Sequence, residues 1–152
     1  MVPTTKSCFD EVRVAIVRQH TELRARLRGL DAATASAGSP LASAYLRVGL
    51  LRLAVQFDAH LTFEEQTLGP RLRELDAWGP GREAAMLAEH AEQRMRVQHV
   101  CAAVEDDQSG LDLSREISWL VVSFLEDMAR EERELLELAQ LDVAGALDQM
   151  AG

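Results

Sequence analysis

The sequence predicts an all-α protein: an up-down-up-down four-helix bundle built from two αα-hairpins with pseudo-two-fold symmetry. Three observations lead there. Leu, Ala, Glu and Arg dominate while aromatics are only 5% of the residues, a balance that favours helices over sheets. Apolar residues recur at spacings of three and four along four long segments, the pattern of a helix that buries one face. Short, breaker-rich connections separate the segments, which makes neighbours antiparallel. With 152 residues the chain has the size of one domain. Residues 1–152 are therefore read as a single bundle with a core over about 7–140 and a short tail over 141–152.

The breakers set the expected boundaries. Ser39-Pro40, Leu68-Gly69-Pro70, Trp78-Gly79-Pro80-Gly81 and the run from Asp106 to Gly110 leave helices over about 7–35, 41–67, 82–106 and 114–140. Ser7 and Ser114 suit N-caps, although Ile117 stands where Glu would complete a capping box. Pro40 fits a first helical turn. The first stripe is Phe9, Val12, Ile16, Leu23, Leu27 and Leu30, and the second is Leu46, Leu50, Leu53 and Phe57. The third runs Met86, Val97, Cys101 and Val104; the fourth runs Ile117, Leu120, Phe124, Leu135 and Leu138. Trp78 and Trp119 are assigned to core or loop packing, and the tail to a short helix of its own.

Polar residues interrupt these stripes. His20 fills the gap between Ile16 and Leu23, His60 and Glu64 follow Phe57, and His90 follows Met86. Asp127 and Glu131 fill the gap between Phe124 and Leu135. Buried carboxylates need positive charge close by, and no Lys or Arg shares those inner positions with comparable clarity. A pair of metal ions supplies the missing charge. Each group alone has a plainer reading, as a hydrogen-bonded core histidine or a solvated acidic face. Their coincidence on core stripes is what favours metal.

The pattern is also duplicated. His20-Thr-Glu22-Leu-Arg24-Ala-Arg26 and His90-Ala-Glu92-Gln-Arg94-Met-Arg96 both read H-x-E-x-R-x-R. The segments starting at His60 and Asp127 both read [H/D]-x-x-x-E-E-x-x-L. Residues four apart on a helix differ by about 40° and about 6 Å, so His60 with Glu64 and Asp127 with Glu131 can grip one site from consecutive turns. His99 lies about 180° from His90 and is read as a surface residue. Glu65 and Glu132 point partly outward, as solvated or supporting groups. Tyr45 lies over about 20 Å along its helix from Glu64, too far for a redox role.

The order His20, His60-x-x-x-Glu64-Glu65, Glu89-His90 and x-x-x-Glu131-Glu132 resembles the hemerythrin-like HHE cation-binding domain over about Cys8 to Leu138. The resemblance implies a non-haem di-iron centre in a four-helix bundle, two Fe ions bridged by carboxylates and an oxo or hydroxo group, with Mn or Zn as alternatives. Its metal ligands here are His20, His60, Glu64, His90, Asp127 and Glu131. Asp127 departs from the family, which usually has His there. Carboxylate is the harder ligand, so Asp127 shifts the centre toward ferric iron or Mn, weakens one metal position, or pairs with an Arg instead. The H-x-x-x-H pair of oxygen-carrying members is also missing, because Arg94 follows His90 by four.

Composition excludes some functions. A net charge of -9 disfavours nucleic acid and anionic membrane surfaces as partners. No stretch has the roughly 20 apolar residues of a membrane span, and Met1 to Asp10 has no apolar core of a secretory signal. Cys8 and Cys101 form no CxxC pair, which suits a reduced, cytoplasmic setting. The leading reading is a binding or sensing protein for oxygen, nitric oxide or iron, as monomer or homodimer and without catalysis. One alternative is a carboxylate-rich di-iron enzyme acting on peroxide, nitric oxide or ferrous iron; the other is a metal-free bundle serving as an interaction protein.

Overall fold

A computed structural model describes residues 8–36, 39–105 and 110–151. Four helices follow one another: α1 Cys8–Thr34, α2 Pro40–Leu75, α3 Gly79–Glu105 and α4 Gly110–Ala151. No strand occurs among the described residues. Packing of α1 with α2 and α4, and of α3 with α2 and α4, closes a four-sided bundle, with α3 and α4 the least closely packed neighbours. No helix is long and apolar enough to cross a membrane.

Helix ends depart from the sequence expectation in four places. α2 runs through Gly69-Pro70 to Leu75 instead of ending at 67. Pro70 removes one backbone donor, but Leu68 and Leu72 bury against Phe9, Val12 and Ile16, and that packing holds the helix on its course. The turn falls at Asp76 to Trp78, where Gly79 N–H donates to the Asp76 carbonyl at 3.0 Å. A Cβ on Gly79 would stand 2.2 Å from the Leu72 carbonyl oxygen, so only glycine fits. α3 accordingly begins three residues earlier than expected.

α4 begins at Gly110 and continues unbroken through the tail to Ala151. Ser114 is thus inside α4 rather than its cap, and its hydroxyl donates to the Thr34 carbonyl at 3.4 Å. Ser7 and residues 106–109, where a cap and a turn were expected, lie outside the described residues. Ser39 is the N-cap of α2, accepting from Ala42 N–H at 3.1 Å ahead of Pro40. Trp119, expected in core or loop packing, is half exposed on α4, and Trp78 is exposed in the turn.

The core has two apolar halves. One gathers Leu23, Leu27, Leu30, Leu46, Leu50, Leu53, Ile117, Leu120 and Phe124 with their neighbours. The other gathers Phe9, Val12, Ile16, Leu68, Leu72 and Leu135. All the stripe residues read from the sequence are buried except Met86, Cys101 and Leu138, which are partly buried at the edges. Between the halves lies a polar layer: His20, His60, Glu64 and His90, each at most 4% exposed, with Glu131.

Candidate metal centre

The polar layer is set by helix register. His20 sits one turn beyond Ile16 on α1, His60 and Glu64 sit on consecutive turns of α2, and Glu131 continues the Phe124 stripe of α4. One ligand atom from each of His20, His60, Glu64 and Glu131 lies within 4.8 Å of all the others. The Nε2 atoms of His20 and His60 are 3.2 Å apart. Glu64 Oε1 is 3.0 Å from His60 Nε2, and Glu64 Oε2 is 3.1 Å from His90 Nε2. His20 Nε2 is also 3.4 Å from Glu131 Oε2. Glu64 therefore lies between two imidazole groups and offers one oxygen to each.

The outer ring nitrogens are all engaged. His20 Nδ1–H donates to Glu132 at 2.9 Å, His60 Nδ1–H to the Gln19 side-chain oxygen at 2.8 Å, and His90 Nδ1–H to Glu65 at 3.1 Å. Each acceptor is an oxygen, so the proton resides on Nδ1 and the Nε2 lone pair points inward. That is the tautomer a metal ligand needs, held by the outer partner typical of such histidines. Two of the three acceptors are braced in turn: Arg24 donates to Glu132 at 2.6 Å, and Arg94 donates to Glu65 at 2.6 Å. The duplicated H-x-E-x-R-x-R and E-E patterns thus have a physical meaning. In each copy a His and the Arg four residues later clasp the second Glu of the facing pair.

The inner atoms lack what the outer ones have. Both oxygens of Glu64 are buried without a hydrogen bond, and lone pairs of two imidazoles face each other across 3.2 Å. Cations or protons must fill that space. Without metal, protons do so. Burial opposes charge on His20, but hydrogen bonding and charge from Glu131, then Glu132 and Glu64, outweigh it and raise its pKa. His90 is likewise raised, burial being outweighed by Glu64 and Glu65. Burial would raise Glu64, yet interactions with His60 and His90 bring it down to about 2. Glu131 is raised, first by burial and further by the neighbouring charge of Glu64. Three nitrogens and two carboxylates at this spacing fit a cation that takes mixed N and O ligands.

Asp127 stands apart. Its carboxylate accepts from Arg96 Nη1 at 3.1 Å, Gln93 Nε2 at 3.3 Å and Arg130 Nη2 at 3.3 Å. Five of the six residues picked from the sequence therefore converge, His90 through Glu64, while Asp127 is held by arginines that the inner stripe did not reveal. Arg130 lies three residues after Asp127 on α4, a spacing that brings the two side chains together, whereas Arg96 reaches across from α3 with its guanidinium end, a contact that helix spacing alone does not show. Gln19 was also missed, and its position beside His20 was the only signal. His99 is exposed and pairs with Glu116 at 3.5 Å, as its place on the helix predicted.

Fold and site together describe a helical bundle whose buried His and Glu cluster fits metal binding. The model of the hemerythrin HHE cation binding domain matches residues 12–139. The chain belongs to that family. Comparison with curated proteins and with solved structures finds no match.

Proposed function

We propose that this protein is a non-haem di-iron protein that binds or senses oxygen, nitric oxide or iron. The observation that carries the proposal is the inward convergence of three Nδ1-anchored imidazoles on the two buried, hydrogen-bond-free oxygens of Glu64. His20, His60, Glu64 and Glu131 would hold one ion. His90 and the second oxygen of Glu64 would hold the other, with Asp127 as the sixth ligand once it leaves its arginines. A bound iron supplies a redox-active centre able to take a small diatomic ligand.

The chain's own residues shape what reaches that centre. Phe57 and Phe124 stack with ring centroids 4.1 Å apart above the polar layer. Beneath them a cavity of about 10 Å³ touches His60 and Glu131, room for about one water-sized molecule. Its size suits a diatomic ligand beside His60 and Glu131.

The test is to mix ferrous-loaded protein with nitric oxide, and separately with oxygen and with peroxide, in a stopped-flow spectrometer. Binding predicts a spectral change that saturates in proportion to protein and reverses when the gas is removed. Sustained consumption of nitric oxide or peroxide over many turnovers would favour the enzyme instead.

A further inference from the structure

Of the four residues in the central cluster, Glu131 alone has appreciable exposure, 25% of its side chain, while His20, His60 and Glu64 are at most 4% exposed. Glu131 reaches solvent through a cavity of about 450 Å³ that also touches His90 and opens along the loosest seam of the bundle, between α3 and α4. Leu72, Met86, Leu135 and Leu138 form its apolar wall. Its charged lining is mostly acidic: Glu89, Glu131, Glu134 and Glu137 against Arg82 and Arg130. Both arginines are already engaged, Arg82 by Asp76 at 2.7 Å and Arg130 by Glu89, Asp127 and, at 3.7 Å, Glu134, so acidic groups outnumber them along the cavity. Glu134 and Glu137 stand exposed on the α4 side.

The space far exceeds what a diatomic ligand requires. A divalent ion with six waters occupies about 180 Å³, taking about 30 Å³ for each water, and it fits. We infer that this cavity is the loading route of the metal centre: a hydrated divalent cation enters between α3 and α4, attracted by Glu134 and Glu137, and sheds water onto Glu131 and His90. The inference rests on the proposed metal centre. It assigns the seam a purpose separate from gas binding, which the small cavity under Phe57 and Phe124 serves. Acidic entrances concentrate cations and speed their arrival in a manner that salt suppresses.

The experiment follows Co²⁺ uptake by metal-stripped full-length protein, read as growth of the cobalt d–d absorbance. Two variants are compared with wild type: the surface pair Glu134→Gln with Glu137→Gln, which leaves packing alone, and Leu138→Trp, which obstructs the cavity. Both should load about fivefold or more slowly at low salt and reach the wild-type cobalt content. The charge variant should also lose most of the salt dependence of the rate. Wild-type rates in both variants would overturn the route while leaving the metal centre intact. A wild-type chain that takes up no cobalt would overturn the metal centre and the route with it.

Discussion

Glu132 and Glu65 do for the proposed metal centre what no inward residue can do. Each accepts from a histidine Nδ1 and is braced by an arginine, so the ring cannot turn and its Nε2 stays aimed at Glu64. Replacing Glu132 with Ala should lower metal affinity about 10- to 100-fold, measured by competition with a chromophoric chelator, while Glu132→Gln, which keeps an acceptor oxygen, should lose less. The titrating groups give a pH signature. His20 and His90 have raised pKa values in the metal-free fold, so their stabilisation is full below the ordinary 6.5 and is lost as pH rises through the folded values. Glu131, also raised, acts in the same direction starting from 4.5. Glu64, lowered to about 2, stabilises above 4.5 and loses that contribution only as pH falls toward 2. Metal-free protein should therefore melt highest near pH 5–6 and lower at pH 8. Metal binding needs neutral imidazoles, so the rise in melting temperature on loading should grow over the same interval. Thermal melts of both forms check this, and a pH-independent difference would contradict it. At this scale the sequence disclosed the inward residues, since polar groups on apolar stripes are conspicuous. It left Asp127 open between metal and an arginine, and it could not show that Arg96 reaches it from another helix.

At the scale of elements, the existence and inner faces of the four helices follow from periodicity, and the errors lie at the ends. Gly69-Pro70 reads locally as a stop, but α2 continues because Leu68 and Leu72 have an apolar half-core to enter. Tertiary burial outweighs the lost donor there. The tail behaves alike: Leu135 and Ala139 bury against the same half-core, and α4 continues past them to Ala151. The true turn depends on Gly79, whose missing Cβ admits the Leu72 carbonyl. Gly79→Ala should cost about 1–3 kcal/mol in urea unfolding, whereas Gly81→Ala, where an added Cβ meets nothing within 4 Å, should be nearly neutral. Equal costs would show that the constraint at Gly79 is not steric.

Across the whole molecule, a layer of His and Glu divides one hydrophobic core into two. Apolar packing holds each half, and the layer joins them at the expense of burying charge, which is tolerable only with cations or protons in place. Removing metal with a chelator should lower the melting temperature reversibly, in line with a ligand that binds only the folded state. Asp127→Ala separates the two parts of the centre. If Asp127 leaves its arginines to bind the second ion, the variant should hold about one ion instead of about two; unchanged content would leave Asp127 as a partner of Arg96 and Arg130 alone. The family and its bundle were legible from the spacing of His20, His60, Glu64, His90 and Glu131. The cavity between α3 and α4 was not, because it depends on how closely two helices approach.

The most direct measurement is iron content with a visible spectrum on protein purified in air, wild type beside Glu64→Ala. The account predicts about two irons per chain with charge-transfer bands in the wild type, and loss of both iron and colour in a variant that still folds as a helical bundle by circular dichroism. Wild-type protein that stays colourless and metal-free after reconstitution with iron would contradict it.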